Sequence, residues 1–337
     1  MSTILGKMQI GKESKAAHGT GVAATVLVPI VQKPLPVDRK VKPVNFDIGL
    51  NVDVTHRLMQ GRLVEDTLQW DDGYFQILPY LFSGALKGDV TPVEQTVDQD
   101  DYLWDHEPAL DDTDNEQDSF TLERGDNVQA VEHNYAMFKR IKISGQISQE
   151  GGESPVSIEA DYFARENVNS SYTAALSPLV PTFMNAKLAR VYLDALWADA
   201  GDTELTGLLR SFELEILSGL HPTFNGGAVE TFGAHEQGPY SFMLNLTLVR
   251  GTATEALRAA INEFRAARLT ITGPQIGSGV SHKVTFDLAG YIEDVVAMAQ
   301  NDRNKNANLD TLVLHGQYDA TGGKLIVPSV ITNVASI

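Results

Sequence analysis

The side chains that could do chemistry in this chain are present but are not spaced for it. Eight histidines are scattered singly, and no H-E-x-x-H pair, G-x-S-x-G elbow or phosphate-cradling P-loop occurs. Gly277, Ser278 and Gly279 make a flexible turn, without the helix that a nucleophile elbow requires. The nearest approach to a metal loop is Asp302, Asn304, Asn306, Asn308 and Asp310, at the alternate positions of an EF-hand. Yet Ala307 stands where the sharp turn needs glycine and Val313 where the bidentate glutamate belongs, so a polar hairpin loop is the better reading. With no cysteine, disulfides, thiolate metal sites and cysteine nucleophiles are excluded. Acids are plentiful, but they cluster in a loop that offers no burial to raise a carboxyl pKa for proton transfer. The chain is therefore not expected to be an enzyme, and no catalytic, cofactor or metal residue is assigned.

What the sequence does position is strands. In Ser241–Val249, Phe242, Leu244, Leu246 and Leu248 alternate with Ser241, Met243, Asn245 and Thr247, the period of two that turns one face of a strand to a core. Thr252 and Glu255 then have capping-box spacing, and Leu257, Ile261 and Phe264 fall at i, i+4 and i+7, which predicts an amphipathic helix packed on a sheet. Alternation resumes at Leu269 and stops at Gly273 and Pro274. Similar strands are expected at Phe46 to Val52, 63–70, 120–124, 137–147, 156–163 and 187–197. A helix carrying Tyr74, Ile77, Leu78, Leu81 and Phe82 should start or kink at Pro79.

The order of these elements recurs. Phe212, Leu214 and Ile216 echo Phe46, Ile48 and Leu50; strand, helix and strand at 241–273 echo 63–86 with 120–124; 286–292 echoes 141–147; and 314–318 echoes 158–162. The expected fold class is mainly β with flanking helices (α+β), as two tandem units. Residues 1–44 form an extended basic arm, 45–165 the first unit, 166–186 a linker and 187–337 the second unit.

Two zones lie outside that pattern. The arm carries Lys7, Lys12, Lys15, Lys33, Arg39, Lys40 and Lys42 against Glu13 and Asp38, with prolines that discourage helix. The insertion 89–118 holds twelve carboxylates, Asp111 and Asp112 among them, and no Lys or Arg; Trp104 is its main apolar anchor. Both read as solvated chain or as contact segments. As contacts, Lys7, Lys12, Lys15, Arg39, Lys40 and Lys42 would meet a neighbouring acidic subunit, with Trp104, Asp111 and Asp112 docking into a partner.

A net charge of -18 argues against binding nucleic acid by phosphate neutralisation, yet suits nucleic acid that must pass without sticking. No apolar run of about twenty residues predicts a membrane span, and no secretory h-region is evident.

The strand order, the single helix after strands ending near Trp70 and Val249, and the Ile-Lys-Ile-Ser-Gly-Gln-Ile-Ser run at 141–148 together resemble the major tail tube proteins of long-tailed bacteriophages. The likeness spans about residues 45–318. It implies β-sandwich or barrel units whose sheets join into a ring, with rings stacking into a tube that conducts DNA into the host, a fold similar to the type VI secretion tube subunit. Two units per chain suggest homotrimer rings with pseudo-sixfold symmetry. The implied partners are further copies, tail terminator, tape measure and distal tail proteins; the implied place is the virion tail, assembled in the host cytoplasm. A duplicated carbohydrate-binding or adhesin module is the alternative, and would need exposed aromatic platforms that Trp70, Trp104 and Trp197 are too separated to supply.

Overall fold

The computed structural model describes residues 5–30, 35–36, 39–44, 56–148, 152–226, 230–302 and 307–337. The expected strand over Phe46 to Val52 lies outside them. Most strands join one large antiparallel sheet; two small hairpins, Arg39–Val44 with His56–Arg62 and Leu220–Thr223 with Ala234–Gln237, stand apart from it. The chain is thus mainly β, with two short α-helices among the described residues.

Two strands are long enough to serve two ladders. Ala130–Gln146 pairs early in its length with Phe120–Gly125 and Asn167–Ser170, and late with Val156–Ala164 and Leu209–Leu217. Ser281–Asp302 pairs early with Phe264–Gln275 and Ile326–Thr332, and late with Ala307–Gly316. The first crosses over at Tyr135, whose φ of 60° takes its N–H out of the ladder toward Glu13, 2.8 Å from Oε1. A non-glycine residue in that region costs about 1–3 kcal/mol, which the buried Glu13 carboxylate offsets.

The crossovers change one sequence expectation. Residues 286–288 sit between Leu269-side and Ile326-side neighbours, whereas 141–145 sit between Val156–Ala164 and Leu209–Leu217, so the two stretches do not occupy matching ladder positions. Alternation alone cannot tell which half of a long strand it belongs to.

From the late halves a continuous wall emerges. Trp70, Ile158, Ile143, Leu214, Leu244, Leu314 and Ile292 are successive cross-strand partners in seven strands, and all are buried. Burial of such rows, at about 25 cal/mol per Å² of apolar surface, is the main force holding the sheet flat on its core.

The helices lie under and beside this wall. Leu78–Ala85 follows a 3₁₀ turn at Phe75–Ile77, and Pro79 falls in the first turn, where a missing N–H costs nothing, so the helix starts there rather than kinking. Every residue of it is buried, and a Cβ on Gly84 would come 2.8 Å from Phe138, so glycine lets the helix lie flush on the strand. The second helix, Thr252–Ala259, is shorter than expected: Ile261 falls beyond it and Phe264 begins a strand. Its cap is Thr254, whose hydroxyl accepts from Gly251 N–H at 2.9 Å, while Glu255 pairs with Arg250 and Arg258. No helix among the described residues is long and apolar enough to cross a membrane.

Candidate assembly surface

The outward face of the seven-strand wall is an organised polar surface, and alternation builds it. In the row beside the apolar one, Gln69, Glu159, Lys142, Glu215, Met243, His315 and Tyr291 are successive partners. Arg140 reaches Glu215 at 3.2 Å, Asp161 at 3.3 Å and Glu159 at 3.4 Å, and Lys142 reaches Glu213 at 2.8 Å. Thr67 donates to Asp161 at 2.6 Å, and Ser144 meets Ser157 at 2.8 Å. On its first five strands the face carries Glu65, Glu159, Asp161, Glu213 and Glu215 against Lys139, Arg140 and Lys142, so acids exceed bases and the cations are held in ion pairs. A phosphate backbone passing over such a face meets no unpaired cluster of cations. Toward the Gln146 end the charges thin to Asp71 and Glu213 beside Ser144, Ser157, Ser211, Asn245 and Thr247, around a shallow basin of about 500 Å³.

The wall has two ends and one internal seam. At the seam, Leu209–Leu217 lies between residues 140–146 and Ser241–Val249, pairing with both along its length. At one end, Val64–Trp70 pairs with Val156–Ala164 and with no other described strand; at the other, residues 294–302 pair only with Ala307–Gly316. Glu293, Asp294 and Val296 are exposed there. A strand edge of this kind is a template for another chain.

Of the residues expected to make contacts between subunits, Lys7, Lys12, Lys15, Trp104 and Asp111 have partners within the chain. Lys7–Lys12 is a strand of the sheet, paired with Phe120–Gly125, because Met8 and Ile10 have a core to enter. The Lys7 ammonium sits 4.0 Å from the centre of the Tyr172 ring. Lys12 binds Asp118 at 3.0 Å and Asp89 at 3.6 Å, and Lys15 binds Asp89 and Glu116, each at 2.7 Å. Basic arm and acidic insertion thus do meet, inside one chain. Burial pushes the Asp118 carboxyl up against the opposing pull of Lys12. Arg39, Lys40 and Lys42 lie on the Arg39–Val44 strand, and their side chains fall outside the described ones. Trp104 is 1% exposed, stacks on His106 and donates from Nε1 to Val334 O at 2.8 Å, so its pocket is the chain's own core. Asp111 and Asp112 are exposed at the mouth of a hollow of about 530 Å³ floored by Gln117 and Tyr240; Asp111 accepts from Thr113 N–H at 3.0 Å.

Several buried polar residues gave no signal in sequence. Glu13, 2% exposed, accepts from Ser119, Thr121, Gly19 and Tyr135 at 2.6–2.9 Å. Asp101 accepts from the N–H groups of Thr96 at 2.7 Å and Val280 at 2.8 Å, pinning the insertion to the turn after Phe264–Gln275. Arg124 is sealed between Asp66 at 2.5 Å and the Tyr162 hydroxyl at 2.7 Å. Neighbouring residues do not set any of them apart from an exposed charge; only the partners across the chain mark them. Among the described residues no group of His, Asp and Glu is placed to hold a metal ion. Asp302 and Ala307 pair at the end of a hairpin, and residues 303–306 between them lie outside the described ones.

A scan against protein-family models finds no match to this chain, and a search of the curated proteins finds none either.

Proposed function

We propose that this chain is a structural subunit that closes into rings of like copies, and that the rings stack into a tube of the phage tail kind, with the polar wall facing a channel through which DNA passes. The observation that carries the reading is the seam at Leu209–Leu217. Within one chain it joins two ladders edge to edge, while the outermost strands of the same wall have a described partner on one side only. Repeating that junction between copies satisfies both ends, and a closed ring leaves no edge.

The tandem organisation is part of the proposal, and the pairing order supports it. Val64–Trp70, Val156–Ala164, Ala130–Gln146 and Phe120–Gly125 are joined in the same succession as Ser241–Val249, Ala307–Gly316, Ser281–Asp302 and Phe264–Gln275. A helix follows the first strand of each series. Lys7–Lys12 flanks Phe120–Gly125 as Ala189–Asp194 flanks Phe264–Gln275, which favours counting that strand of the arm with the first unit. Two units per copy make a trimer the ring with six quasi-equivalent positions. The strand that meets residues 294–302 of a neighbour then comes from the stretch ahead of Val64, as Leu209–Leu217 comes ahead of Ser241.

Negative-stain microscopy of the purified protein tests this directly. Tubes or rings with an axial channel are the expected result. Single copies at every concentration, by microscopy and sedimentation, would overturn it.

A further inference from the structure

A cluster of rings fastens three separate segments together away from the wall. His18, just after the 3₁₀ turn Lys15–Ala17, stacks on Tyr135 with centroids 5.3 Å apart and planes 9° from parallel. His235, on the Ala234–Gln237 strand of the isolated hairpin, meets Tyr135 edge-on at 5.8 Å and His18 edge-on at 5.8 Å. Its Nδ1 lies 3.0 Å from the Tyr135 hydroxyl. The Arg165 guanidinium lies 4.9 Å from the Tyr135 ring centre and 5.7 Å from that of Phe232, which belongs to the same hairpin region. Two imidazoles and one permanent cation therefore share a single tyrosine.

The hairpin region is held besides by Arg62, whose N–H donates to Glu230 O at 2.8 Å, and by Arg165, whose Nε donates to Phe232 O at 3.1 Å. Leu220 and Phe232 sit in a small apolar cluster with Leu63, Tyr135, Met137 and Phe163, apart from the main core.

We propose that His18 and His235 form a proton-operated latch, closed when both rings are neutral, that releases the Leu220–Thr223/Ala234–Gln237 hairpin and the 13–19 segment on acidification. When neutral, His18 can donate from Nδ1 to Ser119 Oγ at 2.7 Å, and Ser119 in turn donates to Glu13 at 2.6 Å. Protonation puts imidazolium charge beside Arg165 and beside the other imidazole, and like charges at this range repel each other across rings that are half-buried. Glu13 and Asp118 favour a proton on His18, whereas Lys15, Arg165 and burial oppose it; Asp114 favours a proton on His235, whereas burial and His18 oppose it. The opposing effects prevail at both rings, so each takes a proton more readily once the latch is open. Opening therefore rises as pH falls below the ordinary histidine range. The device is independent of ring assembly and can be read on single copies.

Hydrogen exchange resolved by segment and corrected for intrinsic rate tests it between pH 7.5 and pH 5. The hairpin and the 13–19 segment should lose protection by about tenfold while the seven-strand wall keeps its own. His18→Gln with His235→Gln should flatten that response, and each single substitution, which leaves one imidazole in place, should shrink it if the double variant does not fold. Protection in the unaltered protein that is independent of pH, or an undiminished loss in the variants, would overturn the latch.

Discussion

At the scale of single residues, buried groups carry roles that their neighbours in sequence do not announce. Trp104 sits in the most acidic stretch of the chain, where a docking residue is the natural reading, yet it fills the core beneath the Val334 carbonyl. Trp104→Ala should lower stability by about 3–5 kcal/mol, as truncation of a buried aromatic does. Trp104→Phe, which keeps most of the volume and loses the hydrogen bond, should cost less. Urea denaturation distinguishes these outcomes from the near-zero effect of an exposed side chain. The sequence gives no means of telling an anchor for a partner from an anchor for the chain itself, because both are one large apolar residue among acids. Lys12 and Lys15 repeat the lesson: their complementarity to Asp89, Glu116 and Asp118 is written in composition, but the identity of the molecule that satisfies it is not.

At the scale of elements, alternation made most strands legible. Ser241–Val249 and Leu209–Leu217 match their apolar positions residue for residue with buried partners. What alternation hides is a strand that changes sheets, since a bulge such as the one at Tyr135 leaves the local pattern nearly intact. Spacing overstates helix length for a similar reason: Leu257, Ile261 and Phe264 keep helical spacing, but Asn262 turns the chain at φ 64° and Phe264 enters a ladder. The outer edge offers a prediction of its own. Backbone N–H groups alternate sides along an antiparallel strand, so of single prolines at Asp294 and Val295 one strikes the ladder with Ala307–Gly316 and the other only the outer edge. The edge variant should keep a cooperative thermal transition and fail to assemble in sedimentation runs. Tubes formed by both variants would remove residues 294–302 from the proposed junction.

At the scale of the whole molecule, acid should be the chain's weakness. Burial holds His106 down to about 4 and His133 to about 3, with Arg124 adding to the second. A histidine whose pKa is depressed in the folded state contributes stability that is complete above pH 6.5 and is lost as pH falls toward the folded value. For His106 alone that amounts to on the order of 3 kcal/mol. Denaturation midpoints should therefore hold between pH 8 and pH 7 and fall steadily from pH 6 to pH 4, and His106→Gln should lessen the slope. A flat profile across that range would contradict the burial.

One more consequence follows from the Tyr102–Asp105 strand, whose mate is Ile326–Thr332, and from Trp104, whose acceptor lies 230 residues further along. A ribosome must deliver the chain through Val334 before that joint can shut. Until then the indole and the flank of the acidic loop stay wet, and contacts so distant in sequence form slowly. Translation thereby sets the clock: a copy synthesised no further than Leu325 lacks the strand that seals this part of its interior.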